Sequence, residues 1–250
     1  MSSVYPDYFA RFYDLIYGKI RSGTDLEYFL RKIRETRGPV LEIGTGTGRI
    51  FTEALKEGAD IYGIDISPAM VGVLKAKTDP AHHFRLSVQD MKNFRSDVTF
   101  PLIIAPFRVF MHLTETEDQL GTLNHICSRL SPGGIFIFDL FITDMQIVQK
   151  GLDRIVDFEG EYEPGETLRR ITSSRSNPDR HEMFVTMRFE WTEKGGLRSG
   201  EWFTRMRYFF SRELEELLER SSFRSFEIFG NYLEEPVGPE SRDYIVVCKK

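Results

Sequence analysis

The stretch Val40-Leu41-Glu42-Ile43-Gly44-Thr45-Gly46-Thr47-Gly48-Arg49-Ile50 constrains the fold more than any other part of the chain. Branched apolar residues up to Ile43 read as a buried strand, and Ile50, Phe51, Ala54 and Leu55 form the apolar stripe of a following helix. Three alternating glycines make the turn between them, and a residue without a Cβ lets a ligand approach the backbone. Strand, glycine turn and helix N-terminus together build a nucleoside site at the carboxyl edge of a parallel sheet. The spacing is Glu-x-Gly-x-Gly-x-Gly. Arg49 stands where the dinucleotide fingerprint G-x-G-x-x-G needs its last glycine.

Downstream the same alternation continues. Residues 61–65 read as a second strand with Asp65 at its end, about 20 residues past the loop, where an acidic group meets ribose hydroxyls. An ionised carboxylate is acceptor-only and can take both O–H groups of the diol. Ser67-Pro68 starts the next helix as N-cap and first helical residue. A third strand is expected over residues 83–88, followed by Gln89-Asp90-Met91. Asp90 suits the exocyclic amine of an adenine, with Ile66 and Met91 on the faces of its ring. Residues 101–105 and 135–140 supply a fourth and a fifth strand, the latter after the breaker Pro132-Gly133-Gly134. Strand and helix alternating five times imply a parallel sheet with right-handed crossovers.

Two helices precede this core. Phe9, Phe12, Tyr13, Ile16 and Tyr17 form one apolar stripe. Thr24-x-x-Glu27 reads as a capping box for the next helix. These helices either cover the sheet or, for the first, make a lid whose tyrosines reach the ligand. From about Leu152 the texture changes to aromatic- and Arg-rich alternation over residues 167–176, 180–193 and 197–210, which reads as antiparallel strands with one face exposed. A helix capped by Ser211 and two last strands, over residues 226–233 and 244–248, close the chain.

Composition removes several function classes. The net charge is −5, and residues 151–210 hold ten Lys and Arg against eleven Asp and Glu, so no basic nucleic-acid platform is expected. Cys127 and Cys248 match no metal or redox spacing and read as buried thiols, and no His, Asp and Glu cluster has metal-ligand spacing. No apolar run approaches a membrane span and the N-terminus is not signal-like, which makes the cytoplasm the expected location.

Glu42-x-Gly-x-Gly-x-Gly, Asp65, Asp90 and Leu130-Ser131-Pro132-Gly133-Gly134, in that order, resemble class I S-adenosylmethionine-dependent methyltransferases. Two leading helices and a β-rich insertion look most like the small-molecule enzymes, including sugar N-methyltransferases and glycine N-methyltransferase-like proteins. The resemblance implies an α/β, Rossmann-like sheet of seven strands with helices on both faces. Its last strand is antiparallel between the fifth and sixth, and an antiparallel β insertion follows strand five. It divides a single methyltransferase domain, 1–250, into lid helices 1–37, a cofactor-binding core 38–150, an insertion 151–210 serving substrate, lid or dimer contacts, and a C-terminal unit 211–250.

Carried over residue by residue, the resemblance gives S-adenosyl-L-methionine, and its product S-adenosyl-L-homocysteine, a set of contacts. These are Tyr13, Glu42, Gly44, Thr45, Gly46, Gly48, Asp65, Ile66, Asp90, Met91 and Pro106. Ala105-Pro106-Phe107-Arg108 replaces the Asn/Asp-Pro-Pro-Tyr/Phe signature of nucleic-acid amino methyltransferases, which counts against base methylation. His112 and Tyr17 become the candidate catalytic pair, His112 as base or orienting group for the acceptor, or else as a structural ring packed beside Phe110 and bonded to a backbone carbonyl. Arg108 is expected in a structural ion pair, and Arg169, Arg170, Arg205 and Arg207 on solvated strand faces. The expected partner is a small-molecule N or O acceptor, with no nucleic acid and no membrane, on a monomer or homodimer. Competing readings are a non-catalytic cofactor-binding regulatory module, a tRNA or protein methyltransferase, and an NAD-dependent oxidoreductase.

Overall fold

A computed structural model describes residues 4–20 and 23–250. Two helices, α1 (Asp7–Ile20) and α2 (Thr24–Glu35), lead into an alternating core. That core is β1 (Val40–Ile43), α3 (Arg49–Lys56), β2 (Ile61–Asp65), α4 (Pro68–Lys77), β3 (Leu86–Val88), β4 (Phe100–Ala105), α5 (Thr116–Arg129) and β5 (Leu130–Phe141). After α6 (Met145–Lys150) come β6 (Leu152–Glu163), β7 (Glu166–Asn177), β8 (Glu182–Glu193) and β9 (Gly196–Arg207). The chain closes with α7 (Ser211–Glu219), β10 (Ser225–Phe229) and β11 (Asp243–Lys249).

The main sheet has the order β10-β11-β5-β4-β1-β2-β3. β11 runs antiparallel to both β5 and β10, while β1 to β5 pair in parallel. This is the expected class I methyltransferase topology. Residue alternation divides its buried side chains between two faces. Val40, Ile61, Leu102, Ile104, Ile245 and Val247 pack under α2, α3 and α4 with Phe29, Phe51 and Leu74. Leu41, Ile43, Ile103, Phe136, Phe138 and Val246 pack under α5 and α7 with Leu123, Ile126, Leu217 and Leu218.

A second sheet, β6-β7-β8-β9, is antiparallel throughout. It joins the core through a third apolar cluster in which Phe9, Phe12 and Ile16 of α1 meet Phe158, Leu168, Phe189 and Trp202, together with Met70 of α4. α1 is therefore packed between the two sheets. Among the described residues no helix is long and apolar enough to cross a membrane.

Several expected boundaries move. The third strand is only Leu86–Val88, because Pro80–Arg85 forms a 3-10 turn capped by the Asp79 carboxylate. The fifth begins at Leu130, and Pro132-Gly133-Gly134 lies in a bulge where the register on β4 shifts, rather than in a break before the strand. β6 carries almost no inward alternation, Phe158 being its one buried residue, as suits an edge strand, and so left no sequence signal. α6 is too short to show helical periodicity. Gly23, in the left-handed region, caps α2 in place of the Thr24 box, and Phe210 rather than Ser211 precedes α7. The last two strands are Ser225–Phe229 and Asp243–Lys249.

Gly48 has φ +91°, and a Cβ there would collide with the Leu74 side chain of α4. Gly48→Ala is expected to cost about 1–3 kcal/mol. Urea unfolding of Gly48→Ala beside Gly48→Ala/Leu74→Ala should show that making room recovers only part of the loss, since the backbone strain remains.

Candidate functional site

The carboxyl ends of β1 to β4 open into a cleft of 330 Å³. It is lined by Tyr13, Glu42, Gly44, Thr45, Gly46, Asp65, Ile66, Asp90, Met91 and Pro106. Gly48, the remaining residue expected there, lies outside this lining and serves the packing of α4 on the loop. Asp65 is buried at the end of β2. One of its oxygens accepts the Gly46 N–H at 2.9 Å and the other the Ser67 N–H at 2.8 Å. Each oxygen keeps a lone pair, which suits a vicinal diol. Burial pushes the Asp65 carboxyl up, and the two N–H donors oppose that.

The loop fits a ligand laid across it. Gly46 has φ +56°, and a Cβ there would meet nothing nearer than the Gly44 carbonyl at 3.9 Å, so the space above it is open. Ile66 is 43% exposed on the cleft, an apolar side chain that a ring would cover. Asp90 accepts the Lys92 N–H at 2.9 Å in a local turn while still bordering the cleft. Glu42 is fully buried beneath the loop, and burial raises its carboxyl to about 8 against the Thr45 hydroxyl at 3.2 Å and the charge of Arg49.

Five carboxylates line the cleft, Glu42, Asp65, Asp90, Glu115 and Asp118, against three cations. Every one of those cations is already paired. Arg49 holds Asp25 of α2, Lys92 holds Asp118 at 3.2 Å, and Arg205 of β9 holds Glu115 at 3.1 Å. With Glu42 holding its proton near pH 7 and Asp118 and Glu115 paired to Lys92 and Arg205, Asp65 and Asp90 are the carboxylates left to face a cationic nucleoside, and the cleft offers no free positive side chain among the described residues.

A second cavity, of 410 Å³, lies between the core and the inner face of the β6–β9 sheet. Tyr5, Phe107 and His112 border both spaces and form the wall between them. His112 Nδ1 lies 3.2 Å from Thr204 Oγ1 of β9, and burial lowers the imidazole to about 4. It is neutral near pH 7, which avoids placing a positive ring beside a cationic ligand. The two lid tyrosines separate. Tyr13 borders the first cleft and Tyr17 the second cavity. Their rings lie 4.4 Å apart, and Tyr17 meets Phe107 edge-on at 5.6 Å.

The arginines divide as well. Arg108 pairs with Asp243 at 3.0 Å, the expected structural role, and Arg169 is exposed. Arg170 corrects the expectation of a solvated face. It is 3% exposed, bound to Asp157 at 2.8 and 3.1 Å, and lies 4.9 Å over the Tyr17 ring. Arg205 and Arg207 are likewise engaged, with Glu115 and Glu213 respectively.

Residues 40–134 match a family described as a methyltransferase domain. The match spans 95 of the chain's 250 residues. Over 104 residues it is 33% identical to malonyl-[acyl-carrier protein] O-methyltransferase 1 of Ilyobacter polytropus, covering 41% of this chain and 37% of that protein. The chain thus spans well under two thirds of the length of that curated relative. Across its whole length the methyltransferase fold matches solved structures. One is an S-adenosylmethionine-dependent methyltransferase from Clostridium acetobutylicum, with TM-score 0.75, 19% identity, and 97% and 98% of the two chains covered. Another is the sugar N-methyltransferase KedS8 from a Streptoalloteichus species, with TM-score 0.77, 19% identity, and 100% and 97% covered. At such identity these likenesses establish the fold.

Tyr5, Thr114 and Glu115 also line the first cleft without having been assigned to it from the sequence, and so does Arg205, which was expected only on a strand face. Nothing in their local spacing announces it, because tertiary packing alone brings β9 and the N-terminal segment there.

Glu42 gives a pH test. A carboxyl raised from 4.5 to about 8 keeps a proton in the folded state that the unfolded chain loses, so its contribution to stability is present below pH 4.5 and is lost as pH rises toward 8. Urea unfolding of the ligand-free protein from pH 5 to 8.5 should show that Glu42→Gln removes this part of the decline. Parallel pH profiles for the two proteins would contradict it.

Proposed function

We propose that the protein is an S-adenosylmethionine-dependent methyltransferase that acts on a small-molecule nitrogen or oxygen acceptor. The observation that carries this is the cleft's charge pattern. Among the described residues Asp65 and Asp90 face it without an ion-pair partner while all three of its cations are already paired, which favours a cationic nucleoside over an anionic ligand. The match of residues 40–134 to a methyltransferase domain supports the same reading. When bound, S-adenosylmethionine supplies a methyl group already activated on a sulfonium.

Asp65 would hold the ribose diol through its remaining lone pairs, and Asp90, Ile66 and Met91 would hold and flank the adenine. The glycine loop would pass under the methionine part. What is left to the protein is alignment and exclusion of water, which can lower a barrier by roughly 7–11 kcal/mol. The acceptor would occupy the second cavity and meet the methyl group at the wall formed by Tyr5, Phe107 and His112. In the tautomer whose Nδ1–H donates to Thr204 Oγ1, 3.2 Å away, Nε2 of His112 would accept the N–H or O–H of the substrate. A ring at about 4 is a weak base, so its first duty is orientation, with proton acceptance following as the new bond forms. Tyr17, fixed by Arg170, would bound the acceptor on its other side.

Calorimetric titration should find binding of S-adenosylmethionine and none of NAD. Asp65→Ala should weaken that binding about tenfold to a hundredfold, the worth of hydrogen bonds to a charged group. Equal affinity for NAD would sink the assignment. His112→Asn, assayed at fixed cofactor occupancy, should reduce turnover by about 10²-fold or more. Because His112 is neutral above about pH 5, the wild-type rate should show no inflection from it between pH 6 and 8, and unchanged turnover in the variant would remove it from the chemistry.

A further inference from the structure

The geometry points to an uncharged, predominantly apolar molecule as the occupant of the second cavity, with its reactive amine or hydroxyl as the one polar group delivered to His112. This rests on the methyl-transfer reading and narrows its acceptor class. It starts from strand alternation. Met183, Val185 and Met187 fall on one face of β8, and their register partners on β9 are Met206, Thr204 and Trp202. All six border the cavity, so one face of the insertion sheet forms a mostly apolar floor. Leu152 of β6, with Phe141, Ile142 and Ile147 from outside the insertion sheet, continues the apolar lining.

The charges in this chamber are few, and its cation is neutralised. Among the described residues that border it, Arg108 is the one cation, and Asp243 neutralises it at 3.0 Å. Asp144 is the one carboxylate, and it caps α6 by accepting the Gln146 N–H at 2.8 Å. The nearby buried Arg170 is bound to Asp157 and lies behind Tyr17, outside the lining. A phosphate or diphosphate would enter with no available cation and with Asp144 against it, a desolvation cost without compensation. Thioether side chains, by contrast, reshape around apolar ligands. A volume of 410 Å³ suits a compact small molecule, well short of a macromolecular segment.

A homologous probe series tests this. Binding of 4-ethyl-, 4-butyl- and 4-hexylaniline, neutral near pH 7.5, is measured by calorimetry on the full chain, with and without S-adenosylhomocysteine, beside 4-aminophenyl phosphate. The expected result is an affinity rising about fourfold per methylene until the chamber is full, with the phosphate at least about tenfold weaker than the butyl compound. Met187→Gln and Val185→Asp should flatten the series while S-adenosylhomocysteine still binds as in wild type. A flat series in the wild-type protein, or tighter binding of the phosphate, overturns the proposal. Failure of S-adenosylhomocysteine to bind would instead count against the cofactor reading, since the aniline series without it reads the chamber directly.

Discussion

The packing of Trp202 against the N-terminal segment holds the two halves of the molecule together. Its indole stacks on Tyr5 at 4.5 Å and meets Phe9 edge-on at 4.8 Å, and Phe9 in turn lies 5.1 Å from Phe189. Aromatic contacts of this kind add to the large apolar area that each ring removes from water. Without them the β6–β9 sheet would share little apolar surface with the core, and the second cavity would lose its floor. The position of α1 follows from the same cluster, because one face of the helix belongs to the insertion.

The opposite side of α1 is tied to the glycine loop by polar groups. Thr47 Oγ1 donates to Asp14 at 2.7 Å, Lys77 Nζ pairs with Asp14 and donates to the Thr47 carbonyl at 3.0 Å, and Ser67 Oγ donates to the Tyr5 carbonyl at 3.1 Å. Arg205 makes a second tie, reaching Thr114 Oγ1 at 2.5 Å from the insertion sheet. The loop that would carry the cofactor and the sheet that would carry the acceptor are thus tied through α1, through Arg180 and Arg205 to Thr114 and Glu115, and through Thr204 to His112. Exposed ion pairs contribute little stability individually, so these ties set geometry more than they hold the fold.

Much of the core was legible because its signals are local. The strand–glycine–helix stretch, Asp65 and Asp90 at successive strand ends, and period-two apolar runs in β1, β4 and β5 each announce themselves within a few residues. Almost all of the expected cleft residues do line it. What stayed hidden depends on contacts distant in sequence. Arg170 reads as a surface residue until Asp157 and Tyr17 are placed around it, while Arg205 does lie on an exposed strand face and hid only its reach to Thr114 and Glu115. β6 was invisible because an edge strand with one buried side chain has no alternation to detect. Gly48 was assigned to the ligand, whereas the neighbour that requires its missing Cβ is Leu74, which no spacing reveals.

The alternation along β8 and β9 has an evolutionary corollary. Residues 183, 185 and 187 face the chamber, whereas Phe184 lies on the other face, stacked with Phe203 at 6.2 Å. Under the proposed function, substrate choice and the outer surface would be written on interleaved positions of the same strands. A lineage of such proteins could then exchange one set of residues to meet a new acceptor while the other set, the glycine loop and the α1 contacts stay as they are.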